Sequence, residues 1–147
     1  GMKIMTEDKS VLPVGLIEAY KMTNFEVLAK PPFILKVGSH SAELKSLFAD
    51  TKLATGCFIT AYNPFSEPLS VEMNMDAQEN LKQKLHGLGL PVLEGLGSDP
   101  SGEWEGEPSF FILGISCADA KNLGVEFKQN AIVWCDANCT PELLLLR

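Results

Sequence analysis

Amide, hydroxyl and carboxylate side chains recur in this sequence at the ends of predicted strands and in the loops beside them. Loops at strand ends are where rigid scaffolds commonly present binding groups. If these strand ends share one edge of a sheet, the polar groups would line a cleft with Trp104 as its apolar wall. The candidate binding residues are Asn63, Ser66, Glu72, Asp99, Trp104, Glu107, Ser109, Gln129 and Asn130.

Most of these residues also have an ordinary structural interpretation. Asn63 and Asp99 each precede a proline, a pattern typical of Asx turns, and Ser66 is suited to capping the helix that follows it. Gln129 and Asn130 are placed to tie the end of a helix to the next strand through backbone hydrogen bonds. Both interpretations remain open at this stage.

Glu107 is harder to explain by local structure, since an acid beside a proline and just before an apolar strand is expected to become partly buried. No catalytic residue is assigned. A Ser-His-Asp triad needs a base, and His40 and His86 are predicted in an exposed loop and at a helix end. The chain has no G-x-S-x-G, Walker or H-E-x-x-H motif, and Gly95-Leu96-Gly97 lacks the third glycine of a dinucleotide-binding loop.

Acidic and hydroxyl residues alternate from Asp99 to Glu107 as they do in a calcium-binding loop. However, Trp104 occupies the position that needs glycine and Phe110 the position that needs a bidentate acid, which excludes an EF-hand. The C-x3-C pair that begins at Cys135 has neither the usual C-x2-C spacing of a zinc site nor a histidine nearby. We therefore predict no metal site and no cofactor, with looser binding of magnesium or calcium by the acidic loop as the alternative.

The composition favours one globular domain over residues 2–147, since the chain has 147 residues, of which 46% are hydrophobic and 21% charged. Its net charge of −7 repels phosphates, so we predict no binding to nucleic acid or to anionic membranes. Apolar runs such as residues 143–146 are too short to span a bilayer, and no leader pattern is visible, so we predict a cytoplasmic location. Gly1 is interpreted as a tag remnant, and the four cysteines as free thiols.

Hydrophobic periodicity and capping residues predict four helices, at residues 10–23, 41–50, 70–86 and 116–127. Strands are predicted at residues 25–29, 33–37, 57–62, 91–94, 110–115, 130–135 and 142–146, and residues 95–102 are predicted to be loop. Because helices alternate with strands but some strands are adjacent, we expect an α+β fold. Its predicted form is a single-domain two-layer sandwich with a mixed β-sheet and three or four helices.

Four blocks of the sequence, in this order, resemble the bacterial DUF3293 family. They are residues 60–66, 97–104, 107–109 and 127–134, and they contain most of the candidate binding residues. The resemblance extends from about the first helix to the last strand and implies a bacterial cytoplasmic protein. It implies no activity, because the family is a domain of unknown function. One departure is the insertion of Glu105 and Gly106 between Trp104 and Glu107.

Three hypotheses of function follow. The first is a module that binds a small molecule or a protein segment through the polar loops, favoured because amides are abundant and bases scarce. The alternative is a hydrolase-like enzyme that uses Glu72, Asp99 or Glu107 as general acid or base, with or without a divalent metal. The third is a structural subunit that forms a homodimer through an edge strand at residues 143–146.

Overall fold

The computed structural model describes residues 5–147, so the interpretation of Gly1 lies outside it. The helices are α1 (Val14–Met22), α2 (Ala42–Thr51), α3 (Val71–Leu88) and α4 (Cys117–Glu126), and a short 3-10 turn lies at Pro64–Ser66. The strands are β1 (Asn24–Val27), β2 (Phe33–Leu35), β3 (Gly56–Ile59), β4 (Val92–Ser98), β5 (Glu107–Leu113), β6 (Ala131–Cys135) and β7 (Glu142–Leu145).

The seven strands form one sheet in the order β2-β1-β4-β5-β3-β6-β7. The α+β class and the four helices are confirmed. Every pairing between these strands is antiparallel, so the prediction of a mixed sheet is wrong in that detail. Helix α4 connects β5 to β6, and two strands joined in this way would pair in parallel if they were neighbours. In this sheet β3 lies between β5 and β6, so they do not pair with each other.

Helices pack on both faces of the sheet. On one face, α3 and α4 bury Leu81 and Leu123 against alternate strand residues such as Ile112. On the other face, Phe48 of α2 packs in a cluster with Phe111, while α1 contacts the end of the sheet near β7. The arrangement therefore has helices above and below the sheet, where a two-layer sandwich was predicted. The central strands β3 and β5 allow this because their consecutive residues are buried on opposite faces.

Serine caps set the start of three helices. The side chains of Ser41, Ser70 and Ser116 accept hydrogen bonds from the backbone N–H three residues on, at 3.1, 3.2 and 3.1 Å. The first helix differs, because it begins at Val14 and its predicted cap Ser10 instead donates a hydrogen bond to the carbonyl of Arg147. The predicted caps at 41, 70 and 116 are confirmed.

Strand β4 continues through Gly95 and Gly97, which were predicted to be loop. A Cβ atom at Gly95 would lie 2.7 Å from the Phe58 ring and 3.0 Å from the Glu26 carbonyl, so glycine is needed there for close packing. Gly95 therefore marks a place where the strand backbone lies close to the Phe58 ring, and it does not mark a turn. The prediction of loop is therefore wrong for residues 95–98 and right for the Asp99 turn that follows.

Two further properties bear on the sequence predictions. The four cysteines are all free thiols, as predicted. Within residues 5–147, none of the helices combines the length and apolar character needed to cross a bilayer.

Candidate functional site

A cavity of about 370 Å3 lies beside α1, and the sheet residues that line it come from β1, β4, β5, β3, β6 and β7. Its size falls within the range usual for small-molecule sites, roughly 300 to 1,000 Å3. Leu16 and Ala19 of α1 bound one side, and Phe25 and Phe58 supply apolar surface from the sheet. The two rings pack edge to face, with centroids 5.2 Å apart.

Six of the nine candidate residues line this cavity. They come from the turn after β3, from the loop between β4 and β5, from the start of β5 and from the segment after α4. The antiparallel pairing of the central strands brings these separate segments to one place. The six residues are Asn63, Ser66, Trp104, Glu107, Ser109 and Gln129.

Gly97 leaves a gap between an aromatic ring and a carboxylate. In the sheet register it lies opposite Phe25 of β1 on one side and opposite Glu107 of β5 on the other. Directly opposed residues in antiparallel strands project to the same face, so a side chain at position 97 would stand between these two. A Cβ there would make ordinary van der Waals contacts, with the Glu107 carbonyl oxygen and Thr23 Cγ2 each 3.9 Å away, so a side chain fits at this position without a clash.

Glu107 is a partly buried carboxylate at the first position of β5. Burial raises the pKa of this carboxyl above its usual value, because the charged form loses hydration. A hydrogen bond of 3.0 Å from Asn63 Nδ2 to Glu107 Oε2 acts in the opposite direction and lowers the pKa. The expectation that Glu107 becomes partly buried is confirmed.

Asn63 is held in position by Asn74 of α3. The backbone N–H of Asn63 donates to Asn74 Oδ1 at 2.8 Å, and Asn74 Nδ2 donates to Asn63 Oδ1 at 2.7 Å. Asn63 has φ 46°, a left-handed conformation that asparagine tolerates better than most residues. With its backbone N–H and Oδ1 held by Asn74, Asn63 directs its side-chain Nδ2 at Glu107.

Asn74 is a supporting residue that was not predicted from the sequence. Only 5% of this residue is exposed, and it shares the buried stripe of α3 with Leu81 and Leu85. A polar residue in register with an apolar stripe usually has a specific hydrogen-bond partner inside the protein. The spacing of 7 and 11 residues from Asn74 to these leucines was the signal that could have identified it.

A second hydrogen-bonded group forms the end of the cavity beside α1. Tyr20 Oη and Ser66 Oγ are 2.7 Å apart, and Asn130 Nδ2 donates to both, at 3.3 and 3.0 Å. Arg147 donates to Asn130 Oδ1 at 3.2 Å and stacks on the ring of Phe65, 4.2 Å from its centroid. Asn130 thus supports the lining residues Tyr20 and Ser66 but does not line the cavity itself.

The turn that carries Ser66 has an unusual backbone. Phe65 and Ser66 have φ values of 54° and 60°, although neither is glycine. The Phe65 N–H donates to the carbonyl of Lys128 at 2.7 Å, which holds the turn against the segment after α4. Such conformations persist only where surrounding contacts impose them, and they concentrate at binding and active sites.

Gln129 and Ser109 have local partners as well as positions in the cavity wall. Gln129 Nε2 donates to the carbonyls of Tyr62 and Phe127, at 3.3 and 3.2 Å, as expected for a residue that ties a helix end to a neighbouring segment. Ser109 Oγ donates to the Glu107 carbonyl at 3.0 Å. Across residues 5–147, every fully buried side-chain nitrogen or oxygen has a hydrogen-bond partner, so the polar groups are already held in place.

Two candidate residues lie away from the cavity. Glu72 is exposed in the first turn of α3, where a negative charge suits the positive end of the helix dipole. Asp99 accepts hydrogen bonds from Ser101 Oγ, from the Ser101 N–H and from the Glu103 N–H, at 2.8, 2.9 and 2.9 Å. These bonds, led by that from the Ser101 hydroxyl, lower the pKa of Asp99. Asp99 therefore forms the turn that its position before proline predicted.

The titratable side chains that line the cavity are Tyr20, Tyr62, Glu105 and Glu107. Within the described part of the chain, the lining includes no lysine, arginine or histidine. Both histidines are exposed elsewhere, as predicted. Residues 5–147 also contain no cluster of three or more His, Cys, Asp or Glu side chains that could hold a metal ion.

A second concavity of about 390 Å3 lies between α3 and β4, on the other side of Ser109. It is wider open, and the long side chains of Glu79, Lys82 and Glu94 border it. Charged side chains at an open groove are normally solvated, and Asn63 and Glu107 do not reach it. The cavity beside α1 is therefore the stronger candidate site.

Together, the fold and the site define an α+β protein with an aromatic-walled cavity at the centre of an antiparallel sheet. The model of the family described as "Protein of unknown function (DUF3293)" matches residues 59–132, which include every candidate residue. The chain belongs to this family, and the resemblance drawn from the sequence is confirmed over residues 59–132. The match does not reach the first helix or the last strand, to which the resemblance was expected to extend. Neither the curated proteins nor the solved structures contain a match.

Proposed function

We propose that this protein binds a small organic molecule in the cavity beside α1. The observation that carries the proposal is that Gly97, which has no side chain, lies between Phe25 and Glu107 in the sheet register, and that all three residues line the cavity. A site with apolar walls and a few fixed polar groups is the usual design of a small-molecule site. Here Asn74 and Asn130 fix those polar groups before any ligand arrives.

A thermal-shift screen of wild type and Gly97→Val tests the proposal. Valine suits a β-strand, and its Cβ would meet no atom closer than 3.9 Å at this cavity-lining position, so the variant should fold while the cavity becomes smaller. Compounds that raise the Tm of wild type should raise that of Gly97→Val much less, because binding to the native state stabilises it. Equal Tm shifts in wild type and Gly97→Val would show that the compounds bind outside this cavity.

Ser98→Val is the matched control for this screen. It adds the same side chain to the neighbouring position of β4, and Ser98 does not line the cavity. Successive residues of a strand project to opposite faces, so this valine should leave the cavity open. Compounds that stabilise wild type should stabilise Ser98→Val to a similar degree.

A hydrolase-like enzyme that uses Glu107 as general acid or base is the second candidate function. Burial raises the pKa of this carboxyl, which is the change that suits a group for proton transfer near neutral pH. Of the three candidate acids Glu72, Asp99 and Glu107, only Glu107 lines the cavity. Incubation of each compound that stabilises the protein, followed by mass spectrometry, separates the two candidates, because a binding module returns its ligand unchanged.

Other expectations remain proposals. We propose that residues 2–147 act as one domain, that the protein is cytoplasmic, and that its charge of −7 keeps it from nucleic acid and anionic membranes. A homodimer through the edge strand β7 is a further proposal, although Met5 already forms a β-bridge to Leu145 there. Light scattering over a range of protein concentrations measures the mass and would contradict the dimer if it gave 16 kDa throughout.

A further inference from the structure

Aromatic side chains are concentrated around the cavity. Five of its twenty lining residues are aromatic, against 8% of the whole chain. They are Tyr20, Phe25, Phe58, Tyr62 and Trp104, and the two tyrosines are the only ones in the sequence. The faces of such rings carry negative electrostatic potential and attract cations, with tryptophan the strongest.

The charges at the cavity have one sign. Glu107 and Glu105 line it, and the described lining residues supply no positive side chain to balance them. The net charge of −7 on the whole chain adds to the same field, which draws cations towards the protein and repels anions. A ligand that carries an anionic group would therefore meet repulsion both on approach and in the cavity.

The Glu107 carboxylate retains hydrogen-bonding capacity. Its Oε2 accepts from Asn63 Nδ2 at 3.0 Å, while Oε1 accepts no hydrogen bond from residues 5–147. A partly buried carboxylate is costly without a positive partner, and a charge-assisted hydrogen bond is about twice as strong as a neutral one. A donor of positive charge placed in the gap at Gly97 would supply that partner.

We propose that the ligand is an organic ammonium ion, with its N–H donating to Glu107 Oε1 and its apolar part packed on the rings of Phe25 and Phe58. This inference rests on the proposed function, because it names the class of molecule that the same cavity takes. The ammonium group would lie where a side chain at position 97 would otherwise project. Trp104, which is 38% exposed in the loop between β4 and β5, would cover the ammonium group from that side.

Binding of such a ligand should depend on pH in a defined direction. Burial raises the pKa of Glu107, so this group becomes charged at a higher pH than a solvent-exposed glutamate does, and only the charged form pairs with an ammonium ion. Affinity should therefore rise as the pH increases through that pKa and then level off. The other titratable groups facing the cavity are Tyr20 from α1, Tyr62 from the turn after β3, and Glu105 from the loop before β5.

Calorimetric titration with three compounds of matched shape tests the inference. Phenethylamine is cationic at pH 7.5, phenethyl alcohol is its neutral analogue, and phenylacetate carries the opposite charge. We expect phenethylamine to bind wild type about tenfold or more tightly than phenethyl alcohol, and phenylacetate to bind most weakly. Alcohol binding as tight as amine binding would overturn the inference and leave the proposed function standing.

Glu107→Gln supplies the decisive variant. Glutamine keeps an oxygen that can accept the hydrogen bond from Asn63, so the fold should persist, and circular dichroism verifies this. Its affinity for phenethylamine should fall about tenfold, while its affinity for phenethyl alcohol should change less than about twofold. The control Glu103→Gln removes the same charge from the exposed loop between β4 and β5, outside the cavity, and should leave both affinities near those of wild type.

The outcomes separate the inference from the proposed function. An equal loss of amine affinity in Glu107→Gln and Glu103→Gln would show a general charge effect and would overturn the inference. Absence of amine binding also overturns it, even if phenethyl alcohol binds. If the thermal-shift screen also finds no compound that stabilises wild type more than Gly97→Val, the proposed function fails as well.

Discussion

The side-chain amide of Asn63 donates a 3.0 Å hydrogen bond to the carboxylate of Glu107, 44 residues further along the chain. This contact links the turn after β3 to the start of β5 at the wall of the cavity. Asn74, buried in α3, in turn fixes Asn63 by two reciprocal hydrogen bonds. The position of the carboxylate thus depends on a residue that does not line the cavity.

Asn74→Ala tests that dependence. The substitution removes the acceptor for the Asn63 N–H, which leaves that group unpaired in a partly buried place. It also removes one of the two donors to Asn63 Oδ1, the other being the Leu69 N–H. We expect the free energy of unfolding, measured with urea, to fall by about 1 to 3 kcal/mol. Gln83→Ala on the exposed side of the same helix should change it by less than about 0.5 kcal/mol. Equal effects of the two substitutions would contradict the structural role of Asn74.

Glu107→Gln should change the pH dependence of stability. Because burial raises the pKa of Glu107 in the folded state, folding takes up protons between the unfolded pKa, about 4.3, and the raised value. Wild type therefore loses stability from this group as the pH rises through that window, whereas glutamine does not titrate. The Tm of Glu107→Gln relative to wild type should increase between pH 4 and pH 7.

Thermal unfolding of both proteins at several pH values measures this difference. Other carboxylates, such as Asp99, contribute equally to the two proteins and cancel. Glu103→Gln serves as the control, since its side chain is exposed and lies outside the cavity. A Tm difference for Glu107→Gln that stays constant, or decreases, from pH 4 to pH 7 would show that burial does not act on this carboxyl as described.

Alanine at two neighbouring glycines of β4 should have opposite effects. At Gly95 the added Cβ would lie 2.7 Å from the Phe58 ring and 3.0 Å from a backbone oxygen, so we expect a loss of about 1 to 3 kcal/mol. At Gly97 the added Cβ would make only ordinary contacts at 3.9 Å, so stability should stay the same or rise by up to about 1 kcal/mol. Urea unfolding of the two variants distinguishes these cases. A similar loss at both positions would contradict the absence of a steric clash at Gly97.

The four thiols should differ in reactivity. Burial raises the pKa of Cys57 and raises that of Cys135 to about 12, so neither forms the reactive thiolate readily. Cys117 is partly exposed, and although burial raises its pKa, the positive charge of Lys121 acts in the opposite direction. Under native conditions, labelling with iodoacetamide followed by peptide mass spectrometry should find Cys117 modified first. Faster modification of Cys57 or Cys135 would be inconsistent with their burial in the sheet.

Much of the secondary structure could be predicted because its causes are local. Ser70 and Ser116 cap their helices through bonds to residues three positions away, and the apolar strands are visible as short runs. The strand at residues 95–98 could not be predicted in this way. The need for glycine at Gly95 comes from Phe58, which is close only after the sheet has formed.

In the candidate site, too, some residues could be predicted from local sequence and others depend on packing. Polar residues at strand ends pointed to Asn63 and Glu107, and the antiparallel register brings their segments together. The role of Asp99 was open, since an aspartate before proline fits both a site and a turn, and its three hydrogen bonds are those of a turn. Asn74 was missed because its partner is fixed by the packing of α3 on the sheet, which no local pattern describes.

Nuclear magnetic resonance during ligand titration tests most directly the proposal that this cavity binds a small organic molecule. Protein labelled with 15N gives separate signals for the Trp104 indole N–H, the Asn63 side-chain amide and the Gly97 backbone N–H. Addition of phenethylamine, or of any compound that raises the Tm, should shift these three signals together and leave those of the groove beside Lys82 unchanged. Saturating shifts confined to that groove, or no shift of the three signals, would contradict the proposed site.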